Sequence, residues 1–419
     1  MTLERYLDAI DNREPEVQAF TYVDRDSARL AARASSERWA AGNPLSPIDG
    51  LTLGLKDIID TVDMPTQYGS AMFSNHRPLS DAACVVALKA AGAVIVGKTV
   101  TTEFAGGAPG PTRNPHDLTR TPGGSSSGSA AAVAGGMLSV ALGTQALGSL
   151  LRPASFCGTY AFKPTIGAIN RQGVLDLNSR SVVGTLANSL EDAWNVSREI
   201  AARVGGDGGN FGLHGASGVA DPTRPNHILV VAAPGWDTVQ PNTLAAFSEV
   251  VDRLDCRGVR ISDNTNSAMV REIEADWAAI FSLAITITGW ERLWPLRQWA
   301  NATNTQLRGA TTESLRRAEA LSVDEYEDAL RQLHKLSLSY NGRASDFDVA
   351  MTLSAPGVAP VGLESTGSPA FCTPATMLGL PAVGLPLLHV TDLPVGVQVI
   401  GHRGRDESLV TMSRWIESN

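Results

Sequence analysis

Two serines and a lysine have the types and settings that chemistry needs. Lys56 lies in GLTLGLKDIID (Gly50 to Asp60), an apolar, alternating run that reads as a buried strand. A lysine carried there loses solvation, so its pKa falls and it can act as a neutral base. Ser125 lies in PGGSSSGSAAAVAGG (Pro122 to Gly136), where four serines and five glycines run into a helical pattern. Ser149 follows MLSVALGTQALG, a second buried strand ending in a turn. Turn amides beside such a serine can hold an oxyanion without a side chain, and Ser-Lys pairs are an alternative to Ser-His-Asp. Together these residues point to attack on a carbonyl carbon.

The serine-rich segment admits other readings. Gly124-Ser125-Ser126-Ser127-Gly128 fits G-x-S-x-G, the nucleophile elbow, which needs a strand immediately before it. What precedes is NPHDLTRTPGG, polar and broken by proline, although His334, His389 and His402 follow downstream. A phosphate-cradling loop needs a lysine that is absent here, and a flexible linker would not continue into AAAVAGGM. Each residue also has a plainer role open to it. Lys56 could be a strand-end lysine, Ser125 a turn serine, and Ser149 a helix N-cap.

The elements that must position these residues alternate. ACVVALKAAG (Ala83 to Gly92) has helical periodicity and ends on glycine, and AVIVGKT follows as a strand. AAAVAGGMLSVALGTQ reads as a small-residue helix feeding a strand. Later strands are predicted at HILVVAAP (His227 to Pro234), FDVAMTLSAP (Phe347 to Pro356), PAVGLPLL and PVGVQVIG, with a closing helix in DESLVTMSRWIESN. Strands apolar on both faces between helices predict an α/β sandwich around a buried sheet. Residues 1–45 read as a charged helical cap and 46–419 as the main domain, the whole forming one compact unit. Val204 to Asn226, rich in Gly, Asp and Pro, reads as a surface loop. Residues 240–340 read as mainly helical, with Trp277, Trp290, Trp294 and Trp299 assigned to core packing and pocket lining as the alternative.

Composition narrows the class. With 419 residues, 43% hydrophobic and 18% charged, the chain reads as a soluble, glycine-rich enzyme type. Net charge −9 argues against nucleic acid or an anionic membrane as partner, and no apolar run approaches the roughly 20 residues of a membrane span. Cys84, Cys157, Cys256 and Cys372 show no C-x-x-C spacing, so cytoplasmic residence with reduced thiols is expected.

Taken in order, GLTLGLKDIID, AVIVGKTVTTEFA, NPH…TPGGSSSGSAAAVAGG, LGTQALGSLLRPASFCGTYAFKPT and GLPAVGLP…LPVGVQVIG resemble the amidase signature family over nearly the whole length. The chain looks most similar to short, malonamidase-like bacterial members. The resemblance implies a mixed central β-sheet sandwiched between α-helices. By position, Lys56 matches the catalytic lysine, Ser149 the nucleophile, and Ser125 the bridging serine, which in the family follows a non-proline cis peptide. Ser126 becomes a structural neighbour; Lys98 and Lys163 are expected to be structural. Amides of Ala146, Leu147 and Gly148 would hold the oxyanion, and Gly124, Thr144 and Arg152 would touch substrate. Acyl transfer through this triad needs no metal and no cofactor.

Two departures from the family pattern bear on substrate. GSLLRP puts Arg152 three positions after Ser149, where the common pattern has two. The malonamidase-like pattern shares that placement, and there the arginine is associated with a substrate carboxylate; the alternative is a buried ion pair. Leu147 stands where the family has glycine, adding bulk beside the nucleophile. The expected function is hydrolysis of a small-molecule amide, with carbamate (urethane) or aryl-amide hydrolysis, or an amidotransferase A-type subunit of a complex, as alternatives. A homodimer is also considered.

Overall fold

The computed structural model describes residues 3–175, 177–216, 218, 220–302 and 306–419. Eleven strands among them form one sheet: β1 (Phe20–Val23), β2 (Thr52–Lys56), β3 (Val94–Thr99), β4 (Val140–Gln145), β5 (Tyr160–Lys163), β6 (Val182–Ala187), β7 (His227–Val230), β8 (Arg260–Ser262), β9 (Val349–Leu353), β10 (Ala382–Val390) and β11 (Leu393–Ile400). Their spatial order is β1-β3-β2-β4-β6-β5-β10-β11-β9-β7-β8. β2 runs parallel to both β3 and β4, and β7 parallel to β8 and β9, while the middle of the sheet is antiparallel. The fold is the expected mixed sheet between helices.

The helices are α1 (Leu3–Val17), α2 (Arg25–Ala40), α3 (Ala83–Ala90), α4 (Ser127–Ala134), α5 (Leu151–Cys157) and α6 (Leu190–Val204). They continue with α7 (Pro241–Cys256), α8 (Ala268–Ala302), α9 (Gly309–Glu319), α10 (Val323–Asn341), α11 (Thr373–Met377) and α12 (Asp406–Ser418).

Period-two alternation in β4 builds two core layers. Val140 and Leu142 enter one apolar cluster with Leu53 and Leu55 of β2. Ala141 enters the other, with Ala130–Ala132 of α4 and Leu151 of α5. Each such leucine or valine removed from water contributes about 1.5–3 kcal/mol. Lys56, next to Leu55, therefore faces the side occupied by α4 and α5. The amino-terminal segment joins this side too: Leu7 and Ile10 of α1 enter the second cluster, and β1 pairs antiparallel with β3 at the sheet edge.

Sequence patterning alone does not reveal β1, β5, β6 and β8. All but β6 are three or four residues long, too short for a period to register. Between Val204 and Asn226 the described residues form no strand or further helix, while Ser217 and Val219 lie outside the described set. Trp277 is buried and stacks on Tyr340, as core packing requires. Trp294 is 69% exposed, against that expectation, because it falls on the outer side of α8. No helix among the described residues is long and apolar enough to cross a membrane.

Candidate active site

Lys56 is the last residue of β2, whose five residues are all buried, and the amine ends with no exposed surface. Its Nζ lies 2.6 Å from Ser125 Oγ and 2.8 Å from Thr144 Oγ1. Thr144 belongs to β4, so two neighbouring parallel strands set this contact. The resemblance placed Thr144 on the substrate. The structure instead buries it and spends its hydroxyl on Lys56.

Ser125 is delivered by a turn at Gly123 (φ +82°) and Gly124 (φ +62°). A Cβ at Gly124 would stand 2.6 Å from Pro153 Cδ and 2.9 Å from the Ser149 carbonyl, so only glycine lets the turn lie against the second serine. Gly124 thereby acts through packing and does not line the cavity described below. Among the described residues no peptide bond is cis, against the expectation for Ser125. The two left-handed glycines make the reversal with φ and ψ alone. Ser126, the centre of the G-x-S-x-G match, ties the two serine segments together. Its amide donates to Ser149 O (3.2 Å), and its hydroxyl bonds the amide and the carbonyl of Thr144 (3.2 and 3.3 Å).

β4 ends at Gln145, the turn Ala146–Ser149 follows, and α5 starts at Leu151. Gln145 fixes this passage: its Oε1 accepts the amides of Leu150 and Leu151 at 2.9 Å each, and its Nε2 donates to Thr376 (2.9 Å). Thr376 in turn donates to Leu147 O at 3.0 Å. Ser149 is therefore not the N-cap; the helix start is served by a strand glutamine. Among the described residues, none of the amides of Ala146, Leu147, Gly148 and Ser149 donates to a backbone carbonyl outside the strand ladders. These are the donors a developing oxyanion needs.

Ser149 opens onto a cavity of about 430 Å³. Ala146, Leu147 and Arg152 line its floor, Ala105–Gly107 and Glu364–Gly367 its sides, and residues of α8 and α9 its far wall. Ser125, Lys56, Thr144 and Gly148 lie behind the floor and are absent from the lining. Trp299 is not in the lining either, but it stacks on Phe104 at 4.4 Å and so braces the Ala105–Gly107 side.

Arg152 is 4% exposed and donates to Thr366 Oγ1 at 3.0 Å. Its Nε and Nη1 are buried without a hydrogen-bond partner, and burial lowers its pKa to about 10. Among the described residues no carboxylate lies within 4.0 Å of it, so the alternative of a buried ion pair has no partner acid. A guanidinium in this state is costly until an acceptor arrives. No local pattern marks Thr366, Gln145 or Thr376 as supports, since each acts across a fold contact or through a neighbouring turn.

A profile of the family described as Amidase matches residues 1–410. Among curated relatives, the chain is 31% identical to the glutamyl-tRNA(Gln) amidotransferase A subunit of Chloroflexus aggregans, over 95% of this chain and 88% of that one. The same-named protein of Roseiflexus castenholzii is 33% identical over 95% and 87%. Among solved structures, a peptide amidase from Stenotrophomonas maltophilia superposes with TM-score 0.80 at 25% identity, covering 100% and 92%. The glutamyl-tRNA(Gln) amidotransferase A subunit of Thermotoga maritima gives 0.76 at 26%, covering 100% and 91%.

Proposed function

The chain belongs to the amidase family, and from that premise we propose that it cleaves the carbon–nitrogen bond of a small-molecule amide through an acyl-enzyme on Ser149. The observation that carries this reading is Lys56 bonded to Ser125 directly behind the cavity floor that exposes Ser149.

In the first step the Ser149 oxygen attacks the carbonyl carbon, its proton passes to Ser125, and the Ser125 proton passes to the neutral amine of Lys56. Thr144 Oγ1 accepts an N–H of Lys56 and helps to hold the amine against Ser125. Amides of Ala146, Leu147 and Gly148 hold the oxyanion. As the tetrahedral intermediate collapses, the proton returns through Ser125 to the departing nitrogen and the C–N bond breaks. Water then attacks the ester carbonyl by the same relay, releasing the acid and restoring Ser149. Every proton in these steps is carried by the three side chains.

Arg152 supports a substrate whose acyl part ends in a carboxylate, since its guanidinium lines the floor and keeps donors without a partner. Leu147 lines the same floor and bounds the acyl group. The same chemistry would serve an aryl amide or a carbamate. A second reading, glutamine hydrolysis by an A-type subunit within a complex, is favoured by the names of the relatives at 31% and 33% identity. Residues 1–45 are read as a cap continuous with the domain, and residence in the cytoplasm as reduced protein is inferred from four free cysteines.

A sulfonyl fluoride should label Ser149, and a panel of carboxylated amides, anilides, carbamates and glutamine should identify the class turned over by the purified chain. Label on Ser126 with Ser149→Ala still active would overturn the assignment. Glutamine as the sole substrate, with turnover rising on addition of a partner protein, would move the reading to the amidotransferase.

A further inference from the structure

The charged lining of the cavity runs against the charge of the molecule. The chain carries −9 overall, yet Arg152, Arg292 and Arg317 line the cavity and Glu364 is its one acid among the described residues. Local field, not net charge, decides what a cleft attracts, because low-dielectric walls focus it.

The three arginines have different commitments. Arg152 is buried beside Ser149 and is assigned above to the acyl group. Arg292, on α8, donates to Phe104 O at 3.1 Å and thereby holds the loop that forms one side of the cavity. Arg317, on α9, keeps a side chain 65% exposed. Its acidic neighbour Glu313 is 3.6 Å away and is already gripped in fork fashion by Arg316 at 2.9 and 2.8 Å. Arg317 also donates to Glu313 O at 3.4 Å, and its exposed guanidinium, in the cavity lining, keeps room for a further anion.

Space lies between the two ends. The far wall includes Gly289 of α8 and Ala318 of α9. A Cβ at Gly289 would meet Leu321 Cδ1 at 3.2 Å and Ala318 Cβ at 3.9 Å, so small residues keep the two helices close and the cavity clear. A volume of about 430 Å³ falls within the roughly 300–1,000 Å³ range of small-molecule sites.

We propose that the cavity selects doubly anionic amides: one anionic group on the acyl part for Arg152, and a second on the leaving amine for Arg317. The inference rests on the hydrolase reading only for which end is acyl. Arg317 is then a specificity residue that acts through its field, while Arg292 serves the loop.

The experiment is binding calorimetry on the full-length Ser149→Ala chain, which does not depend on turnover. The probes are two anilides of succinic acid, one with a para-carboxylate on the ring and one with a para-methyl. The carboxylated probe should bind about fivefold more tightly at low salt, and the preference should shrink to within about twofold near 0.5 M salt as screening sets in. Arg317→Gln should remove the preference and Arg317→Lys should retain most of it. Equal affinities at low salt, binding of neither probe, or a preference that survives Arg317→Gln would overturn the proposal. A preference that behaves as expected, in a wild-type chain that hydrolyses no amide, would sink the hydrolase reading and leave this one standing.

Discussion

Lys56 and Lys98 sit one register step apart on adjoining strands, and their surroundings differ in kind. β2 and β3 pair Leu55 with Lys98 and Lys56 with Thr99, so the two amines project from opposite faces of the sheet. Both are fully buried. Lys98 donates to the carbonyl of Ile59 and to Thr66 Oγ1 (2.6 Å), with Asp57 at 4.0 Å. Burial draws its pKa down to about 8 against the pull of Asp57, whose own carboxyl burial raises to about 6. Lys163 resembles it, donating to the carbonyls of Leu380 and Pro164. Carbonyls accept hydrogen bonds but have no proton to return, and the Thr66 hydroxyl turns its own proton to Ile59 O at 3.4 Å. Lys56 meets the hydroxyls of Ser125 and Thr144, which both accept and donate. On the proposed mechanism, burial alone does not make a lysine a base; partners able to exchange a proton do.

The largest expected effect tests that division directly. Lys56→Ala should lower kcat by several orders of magnitude with the circular dichroism spectrum unchanged. Lys98→Met should lower stability while leaving the folded fraction within about tenfold of wild-type kcat. The comparison breaks if Lys56→Ala keeps kcat within about tenfold, or if folded Lys98→Met is as inactive as Lys56→Ala.

Thr144 sharpens the comparison from the other side. If its hydroxyl orients the amine, Thr144→Val should cost about tenfold to a hundredfold in kcat with little change in KM. Thr144→Ser should restore most of the loss. A rise in KM with kcat unchanged would return Thr144 to the substrate, the role implied by its place in the family pattern.

Those local roles are only partly legible in sequence. Lys56, Ser125 and Ser149 each lie in a contiguous run whose composition betrays a strand end or a glycine turn, so their types and settings can be read. The buried sheet is readable for the same reason at β2, β3, β4 and the late strands, while its mixed direction is implied by the resemblance. Thr366 reaches Arg152 across 214 positions, and no local period encodes such a contact. The expected cis bond before Ser125 rests on resemblance alone, and among the described residues no peptide bond is cis. Arg317 sits in a helix whose charge pattern reads as ordinary surface, and only the fold brings it to the cavity.

The structural lysines make a titration prediction of their own. A lysine whose folded pKa is depressed holds fewer protons folded than unfolded between the two values, so stability rises with pH across that window. For Lys163 the window opens at about 7 and for Lys98 at about 8, each extending towards the usual 10.5. The unfolding free energy measured in urea should climb between about pH 7 and 9.5, by an amount on the order of 1 kcal/mol per lysine. In Lys163→Met the climb should be shallower. Identical slopes in the variant and the wild type would mean that Lys163 keeps its proton when folded, and that buried carbonyls stabilise the ammonium more than burial opposes it.

Leu147 should separate the proton machinery from the fit of the substrate, with the smallest effect of the set. Its side chain lines the cavity floor, while its carbonyl is held by Thr376 and its neighbour Gln145 fixes the start of α5. The backbone of the turn is thus anchored independently of what Leu147 carries. Leu147→Gly should leave the lysine chemistry in place, so the pH dependence of kcat should keep its shape. It should change the ratio of kcat/KM between a short carboxylated amide and a larger neutral amide or carbamate. A single methylene discriminates by about 1–3 kcal/mol in a closed pocket, and an isobutyl group at a partly open floor should move the ratio by at least about threefold. A smaller change would mean that the leucine packs beside the substrate without bounding it. Substrate rank would then rest with Arg152, which lines the same floor.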